Sequence, residues 1–159
     1  MKLENMYQEI ILDHYKRPHG KGLAEQFDAE VHHVNPTCGD EITLRVSRGA
    51  DGKIVVSYDN MGCSISQASA SIMFDQINNL DFESGEAAVE HLIAMLQRTV
   101  EADEDILGDG IALAGVAQYP ARVKCALLAW MAWKDAAIQA GADNNNESKI
   151  STESNKEQN

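Results

Sequence analysis

The sequence predicts an α+β fold, a small three-stranded antiparallel sheet with helices packed on one of its faces. Two observations carry that expectation. Ile42, Leu44 and Val46 alternate, as do Ile54, Val56 and Tyr58, and Gly49-Ala50-Asp51-Gly52 between the runs makes a hairpin. After Cys63 the apolar spacing changes from every second residue to every third or fourth, the mark of amphipathic helices.

The elements follow in order. Leu3, Tyr7, Ile10 and Ile11 recur at helical spacing, and Arg17-Pro18-His19-Gly20 stops that first helix near Lys16. Val31 and Val34 mark a short strand over 28–34, which completes the sheet. Beyond Cys63, Ser64 or Ser66 is placed to cap a helix whose stripe is Ile65, Ala68, Ile72, Met73 and Ile77. A further helix is predicted from about Ser84 to Val100, with Ala88, Leu92, Met95, Leu96 and Thr99 inward. Glu101 to Gly110 reads as an acidic turn, and 111–117 as a short apolar helix. The last helix starts at Pro120, suited to a first turn. It is expected to bury Val123, Leu127, Trp130, Met131 and Ile138, with Trp133 at its rim, and to end at Ala140-Gly141.

A chain of 159 residues with 44% hydrophobic content suits a single domain, here 1–141, that folds without help from a metal. The polar stretch 142–159 is expected to be a disordered tail. The N-terminus lacks the apolar run of a signal peptide, and no stretch approaches a membrane span. An odd number of cysteines, three, points to a reducing compartment, the cytoplasm. Net charge is −12; between Asp75 and Asp109 ten acidic residues face the single Arg98, which gives −9. That sign excludes nucleic acid as a partner. The acidic stretch is either a solvated face or a surface for a basic partner.

The chemistry centres on Cys38, Cys63 and Cys125, each at a turn or near a helix start, with Asp40 two residues after the first. In an extended segment Cys38 and Asp40 would point to the same side and meet on one ion. Cys63 stands at the mouth of a helix, where unpaired N–H groups and the dipole favour thiolate. Arg122 and Lys124 adjoin Cys125 and can offset negative charge. Three sulfurs and a carboxylate are the number a tetrahedral zinc site needs, and a thiolate is also a nucleophile. The set could hold a metal or move sulfur, and each cysteine taken singly could be packing filler.

Three blocks resemble the IscU/NifU N-terminal superfamily: Asn35-Pro36-Thr37-Cys38-Gly39-Asp40, Gly62-Cys63-Ser64-Ile65-Ser66-Gln67-Ala68-Ser69-Ala70-Ser71, and Arg122-Val123-Lys124-Cys125-Ala126-Leu127-Leu128-Ala129-Trp130. The resemblance covers about residues 3–140 and is nearest to the SufU branch. Scaffolds of the IscU type carry a histidine before the third cysteine and a Leu-Pro-Pro-Val-Lys motif. This chain has Lys124 and Tyr119-Pro120-Ala121-Arg122-Val123-Lys124 instead, and its acidic segment 99–118 resembles the SufU insertion. The resemblance therefore implies an IscU/SufU-like fold and a zinc-dependent sulfurtransferase. Cys38, Asp40, Cys63 and Cys125 would bind Zn2+, and Cys38 would accept persulfide sulfur from a SufS-type cysteine desulfurase. The sulfur would pass on to the downstream iron–sulfur assembly machinery. The alternative is an iron–sulfur cluster assembly scaffold built from the same ligands.

Other residues take simpler roles. His14 and His19 are packing or surface histidines, or contacts for the desulfurase; His32 and His33 are adjacent on a strand, so only one can face the site. His91 is expected to be solvated, and Met61, Met73 and Met95 to pack in or at the edge of the core. Arg122 is placed to pair with Asp40 or the cysteine cluster, or to touch the partner.

Overall fold

The structure, a computed structural model, describes residues 3–149. Helix α1 spans Leu3–Lys16, and strands β1 (Ala29–Asn35), β2 (Asp40–Arg48) and β3 (Ile54–Met61) follow. Then come α2 (Ser64–Ile77), α3 (Phe82–Leu96), the short α4 (Glu104–Leu107), a 3-10 segment over Gly108–Gln118 and α5 (Pro120–Lys149). The sheet has the order β1-β2-β3 with both pairings antiparallel, as expected. No helix among the described residues is long and apolar enough to cross a membrane.

Alternation decides which face of the sheet is covered. Val31, Leu44 and Tyr58 lie in one cross-strand row and are buried, as are Ile42, Val46, Ile54 and Val56 on the same face. Helix α5 lies against β1 and β2, while α2 lies against β3 and against α5. Trp130 and Trp133 are both fully buried in the core between these layers, so Trp133 is not a rim residue.

Several helix details differ from the sequence expectation. The cap of α2 is Cys63, and neither Ser64 nor Ser66 caps it; the Ser66 hydroxyl donates instead to the Cys63 carbonyl. Helix α3 starts earlier than Ser84, because the Asp81 carboxylate accepts from the Ser84 N–H. That bond holds the Asp81 carboxyl below its usual range. The same helix stops at Leu96, where Arg98 enters the left-handed region at φ 64° and the Thr99 N–H turns back to Ala94. Thr99 is consequently exposed, not inward.

The apolar stretch after the acidic turn is a 3-10 segment, long for that geometry, in which Ala112, Ala114, Gly115 and Ala117 keep the eclipsed rows small. In α5 the buried stripe runs through Cys125, Ala126, Ala129, Trp130, Ala132 and Trp133, leaving Met131 and Ile138 exposed. Small alanines let α5 sit close to the sheet, which turns the larger Met131 and Ile138 outward. This helix passes through Gly141 to Lys149; a mid-helix glycine costs about 1 kcal/mol without ending the helix. Of the expected tail, residues 150–159 lie outside the described residues.

One buried polar contact locks α2 to α5. The Trp130 indole N–H donates to the Ser69 hydroxyl at 2.8 Å, and that hydroxyl donates to the Ala126 carbonyl at 2.6 Å. Cys63 caps the first of these helices and Cys125 sits on the second, so the lock sets their separation. Ser69→Ala leaves the fully buried Trp130 N–H without its partner, at a cost of about 1–3 kcal/mol. Urea unfolding should show a lower midpoint with an unchanged slope.

Candidate metal centre

The loop Pro36–Gly39 joins β1 to β2, with Asn35 and Asp40 paired across the strands. Pro36 supplies the fixed φ at the second position of the turn, closed by the Cys38 N–H on the Asn35 carbonyl at 3.2 Å. Gly39 returns the chain into β2 at φ 70°. The segment Cys38-Gly39-Asp40 is thus a tight turn and not the extended run the sequence suggested. Curvature, not strand alternation, brings the Cys38 and Asp40 side chains to one place.

Asp40 is 1% exposed and joins the parts of the site. Its Oδ1 accepts the Cys63 N–H at 2.8 Å, one of the unpaired donors at the start of α2. Its Oδ2 stands 3.9 Å from Cys63 Sγ and 3.5 Å from Asn35 Nδ2. The next link runs to α5, where Cys125 Sγ lies 3.3 Å from Cys38 Sγ and 3.8 Å from Asn35 Nδ2. Ligand atoms of Cys38, Asp40 and Cys125 all lie within 4.8 Å of one another. Cys63, the fourth expected ligand, stands outside that mutual spacing and meets the group through Asp40 and Cys125. Gly62 makes the approach feasible: at φ 146°, a Cβ there would stand 2.3 Å from Asp40 Oδ1.

The donor set suits zinc. Around one tetrahedral ion two sulfurs stand roughly 3.8 Å apart and a sulfur and an oxygen roughly 3.5 Å, each within about 0.5 Å of the 3.3 Å sulfur–sulfur and 3.9 Å sulfur–oxygen separations here. All three cysteines are free thiols. Burial pushes the Cys125 thiol well above its ordinary range, and contacts with Cys38, Asp40 and Cys63 push it further. Bringing these groups together as anions therefore calls for a cation among them. Arg122 gives part of that compensation from the exposed side. Its hydrogen bond to Cys125, and then the charges of Cys63, Cys125 and Cys38, hold its proton more tightly. Arg122 thus meets the sulfurs and not Asp40; Lys124 is exposed.

The remaining polar residues fall elsewhere. His32 turns to the open face of the sheet, against Thr43 and Glu41, and His33 turns to Asp135 on α5. Neither histidine joins the cysteines. His14 is buried between Ser71 and Asp109, and His19 pairs with Asp75. His91 is half-buried, its Nε2 sealed from solvent without a partner, where the sequence suggested a solvated ring. Met61, expected in the core or at its edge, is 58% exposed beside the site, while Met73 and Met95 are buried. Sequence reasoning gave no role to Asn35, whose amide spans Asp40 and Cys125. Its signal was an amide at the last strand position before a Pro-Thr-Cys-Gly turn.

The model of the NifU-like N terminal domain matches residues 6–126, a span that contains all four candidate ligands. The zinc-dependent sulfurtransferase SufU of Bacillus subtilis (strain 168) is 42% identical over 132 residues, 82% of this chain and 88% of its own. The iron–sulfur cluster assembly scaffold protein IscU of Streptococcus pyogenes serotype M1 is 38% identical over 135 residues, 85% of this chain and 84% of its own. The crystal structure described as an iron–sulfur cluster assembly scaffold protein for the SUF system (FiSufU) from Fervidobacterium islandicum AW-1 superposes with a TM-score of 0.76 at 34% identity, covering 86% of this chain and 99% of that one. With the family match spanning residues 6–126 and relatives at 42% and 38% identity over most of its length, the chain belongs to the NifU-like N-terminal domain family of the IscU/NifU superfamily.

Proposed function

We propose that this protein is a zinc-dependent sulfurtransferase, in which Cys38 accepts persulfide sulfur from a SufS-type cysteine desulfurase for iron–sulfur cluster biogenesis. The observation that carries the reading is an asymmetry among the convergent donors. Cys125 is fully buried on α5, and the backbone N–H of Cys63 is tied to Asp40. Cys38 and Cys63 are both partly exposed. Cys38 alone stands on a hairpin turn between two strands and not at the start of a packed helix, so its segment is the one best able to move and let its sulfur meet a partner. The similarity to SufU of Bacillus subtilis supports the same reading.

Cys38, Asp40, Cys63 and Cys125 would hold the zinc ion, which when bound keeps the thiolates deprotonated and protected. In the transfer, the Cys38 thiolate attacks the outer sulfur of the desulfurase persulfide. A sulfur–sulfur bond forms on Cys38, the bond within the desulfurase persulfide breaks, and the desulfurase cysteine leaves as thiolate. One sulfur atom moves without net oxidation, and Cys38 carries the new persulfide. Asp40, Cys63 and Cys125 keep the site assembled while Cys38 reacts. Exposed apolar side chains beside the cysteine-bearing segments suit a protein partner: Val34 precedes Asn35, Met61 precedes Gly62, and Tyr119 precedes Pro120.

A second reading, an iron–sulfur cluster assembly scaffold, draws on the similarity to IscU of Streptococcus pyogenes, since the same donors could hold iron and sulfide. Lys124 counts against it, because a cation stands before Cys125 where scaffolds of the IscU type carry histidine. Purified protein separates the two. Colourless protein with about one zinc that accelerates a desulfurase supports transfer, whereas a stable brown cluster passed to an acceptor supports scaffolding.

In a desulfurase assay with L-cysteine, Cys38→Ala should abolish the acceleration while zinc stays bound. The wild-type chain, and not the variant, should gain the mass of one sulfur atom at residue 38; unchanged acceleration would remove Cys38 as acceptor. Met61→Glu should weaken the acceleration at limiting protein and leave the zinc content alone, because it adds charge to an apolar rim without touching a ligand. Gly62→Ala should lower zinc affinity at least about tenfold in competition with a chelator, because its methyl displaces Asp40.

A further inference from the structure

We propose that His14, His19 and Asp75 form a second divalent-cation site, separate from the cysteine cluster, suited to a borderline first-row ion such as Zn2+. One ring nitrogen from each histidine and one oxygen of Asp75 lie within 4.8 Å of one another. The rings of His14 and His19 stand 4.8 Å apart between centroids, and His19 Nδ1 is 2.7 Å from Asp75 Oδ2. Modest movement brings three such donors to the roughly 3.3–3.5 Å spacing of nitrogen and oxygen ligands around one ion.

The hydrogen bonds already orient the buried ligand. Asp109 Oδ2 lies 2.9 Å from His14 Nε2, a carboxylate accepting that N–H and leaving Nδ1 with the lone pair. Nδ1 is 2.7 Å from the Ser71 hydroxyl, so its lone pair faces that oxygen, which also accepts the His19 backbone N–H at 2.8 Å. An ion about 2.0–2.1 Å from Nδ1 does not fit within the 2.7 Å gap to Ser71 Oγ, so binding would turn that hydroxyl aside and release the His19 N–H. Asp109, His14 and the ion then form the carboxylate–histidine–metal arrangement common around bound zinc.

Charge and access agree with this. Two neutral imidazoles with Asp75 and Asp109 carry −2, the charge a dication cancels, within the acidic stretch that runs from Asp75 to Asp109. His14 is 2% exposed, while the side chains of His19 and Asp75 keep 45% and 31% of their surface. The ion would enter from the His19–Asp75 side and retain water there, as three-ligand zinc sites do. Its ligands come from the end of α1, the turn after it and α2, so the bound ion would pin α1 onto the helix that Cys63 caps.

The test uses the full chain with one equivalent of Zn2+ already on the cysteines, titrated with more Zn2+ by calorimetry. A second equivalent is expected, weakened at least about tenfold in His19→Gln and in Asp75→Asn. In the cobalt-substituted protein both variants should keep the thiolate-to-metal charge-transfer band of the first site. Excess Zn2+ should raise the melting temperature of the wild type above that of either variant. Substituting the exposed His19 and Asp75 leaves the packing of His14 intact. The proposal fails if the zinc-loaded wild type takes up no second equivalent. It fails equally if both variants bind that equivalent, or gain melting temperature from Zn2+, as the wild type does.

Discussion

A carboxylate held out of water between a hairpin and a helix start governs how this molecule is arranged around its cysteines. Asp40 opens β2, and its Oδ1 satisfies the Cys63 N–H where α2 begins. A buried carboxylate is costly unless its charge is met, and here the helix terminus meets one oxygen while Asn35 approaches the other. That leaves the second oxygen beside the sulfurs of Cys63 and the Cys38–Cys125 pair. The result is a concentration of potential negative charge that only a cation resolves well. Gly62 is the steric condition, since a side chain there would occupy the space of Asp40 Oδ1.

The rest of the fold keeps three distant chain segments at that carboxylate. The sheet presents the β1–β2 turn with Cys38, α2 presents Cys63, and α5 presents Cys125 from its second turn. Register between β1 and β2 pairs Asn35 with Asp40, so one strand end supplies the amide and the other the acid. The Trp130–Ser69–Ala126 chain of hydrogen bonds then clamps α5 on α2 between fully buried side chains. Stability and site geometry are therefore linked through the same buried contacts. Arg122, exposed on α5, adds positive charge at the open side of the cluster.

Histidine–carboxylate pairs carry a second level of organisation. His14 reaches from α1 to Asp109 in the 3-10 segment, His19 from the following turn to Asp75 on α2, and His33 from β1 to Asp135 on α5. The His33 contact holds the Asp135 carboxyl below its ordinary range, so that pair favours the fold above the usual carboxylate range and fades as pH falls through the lowered value. Partial exposure of both side chains keeps this contribution small. These pairs add polar links between elements that also pack on one another, and two of them converge at His14 and His19.

Period and punctuation alone determined the class of the fold, its three strands and most of its helix starts, because alternation of two and spacing of three to four are local consequences of burial. The cysteine-bearing motifs were legible for the same reason, each being a short run with its own Gly, Pro or Asp. Tertiary structure decided everything that depends on which surfaces meet. It turned Met61 and Met131 outward, buried Trp133, carried α5 through Gly141, and stopped α3 with Arg98 in a left-handed conformation. It also gave Asn35 a place over Asp40 and Cys125, and brought His14 and His19 to Asp75 across more than fifty residues of chain. No local pattern encodes such contacts, because a polar side chain finds its partner only after the apolar faces have packed and fixed the distances between elements.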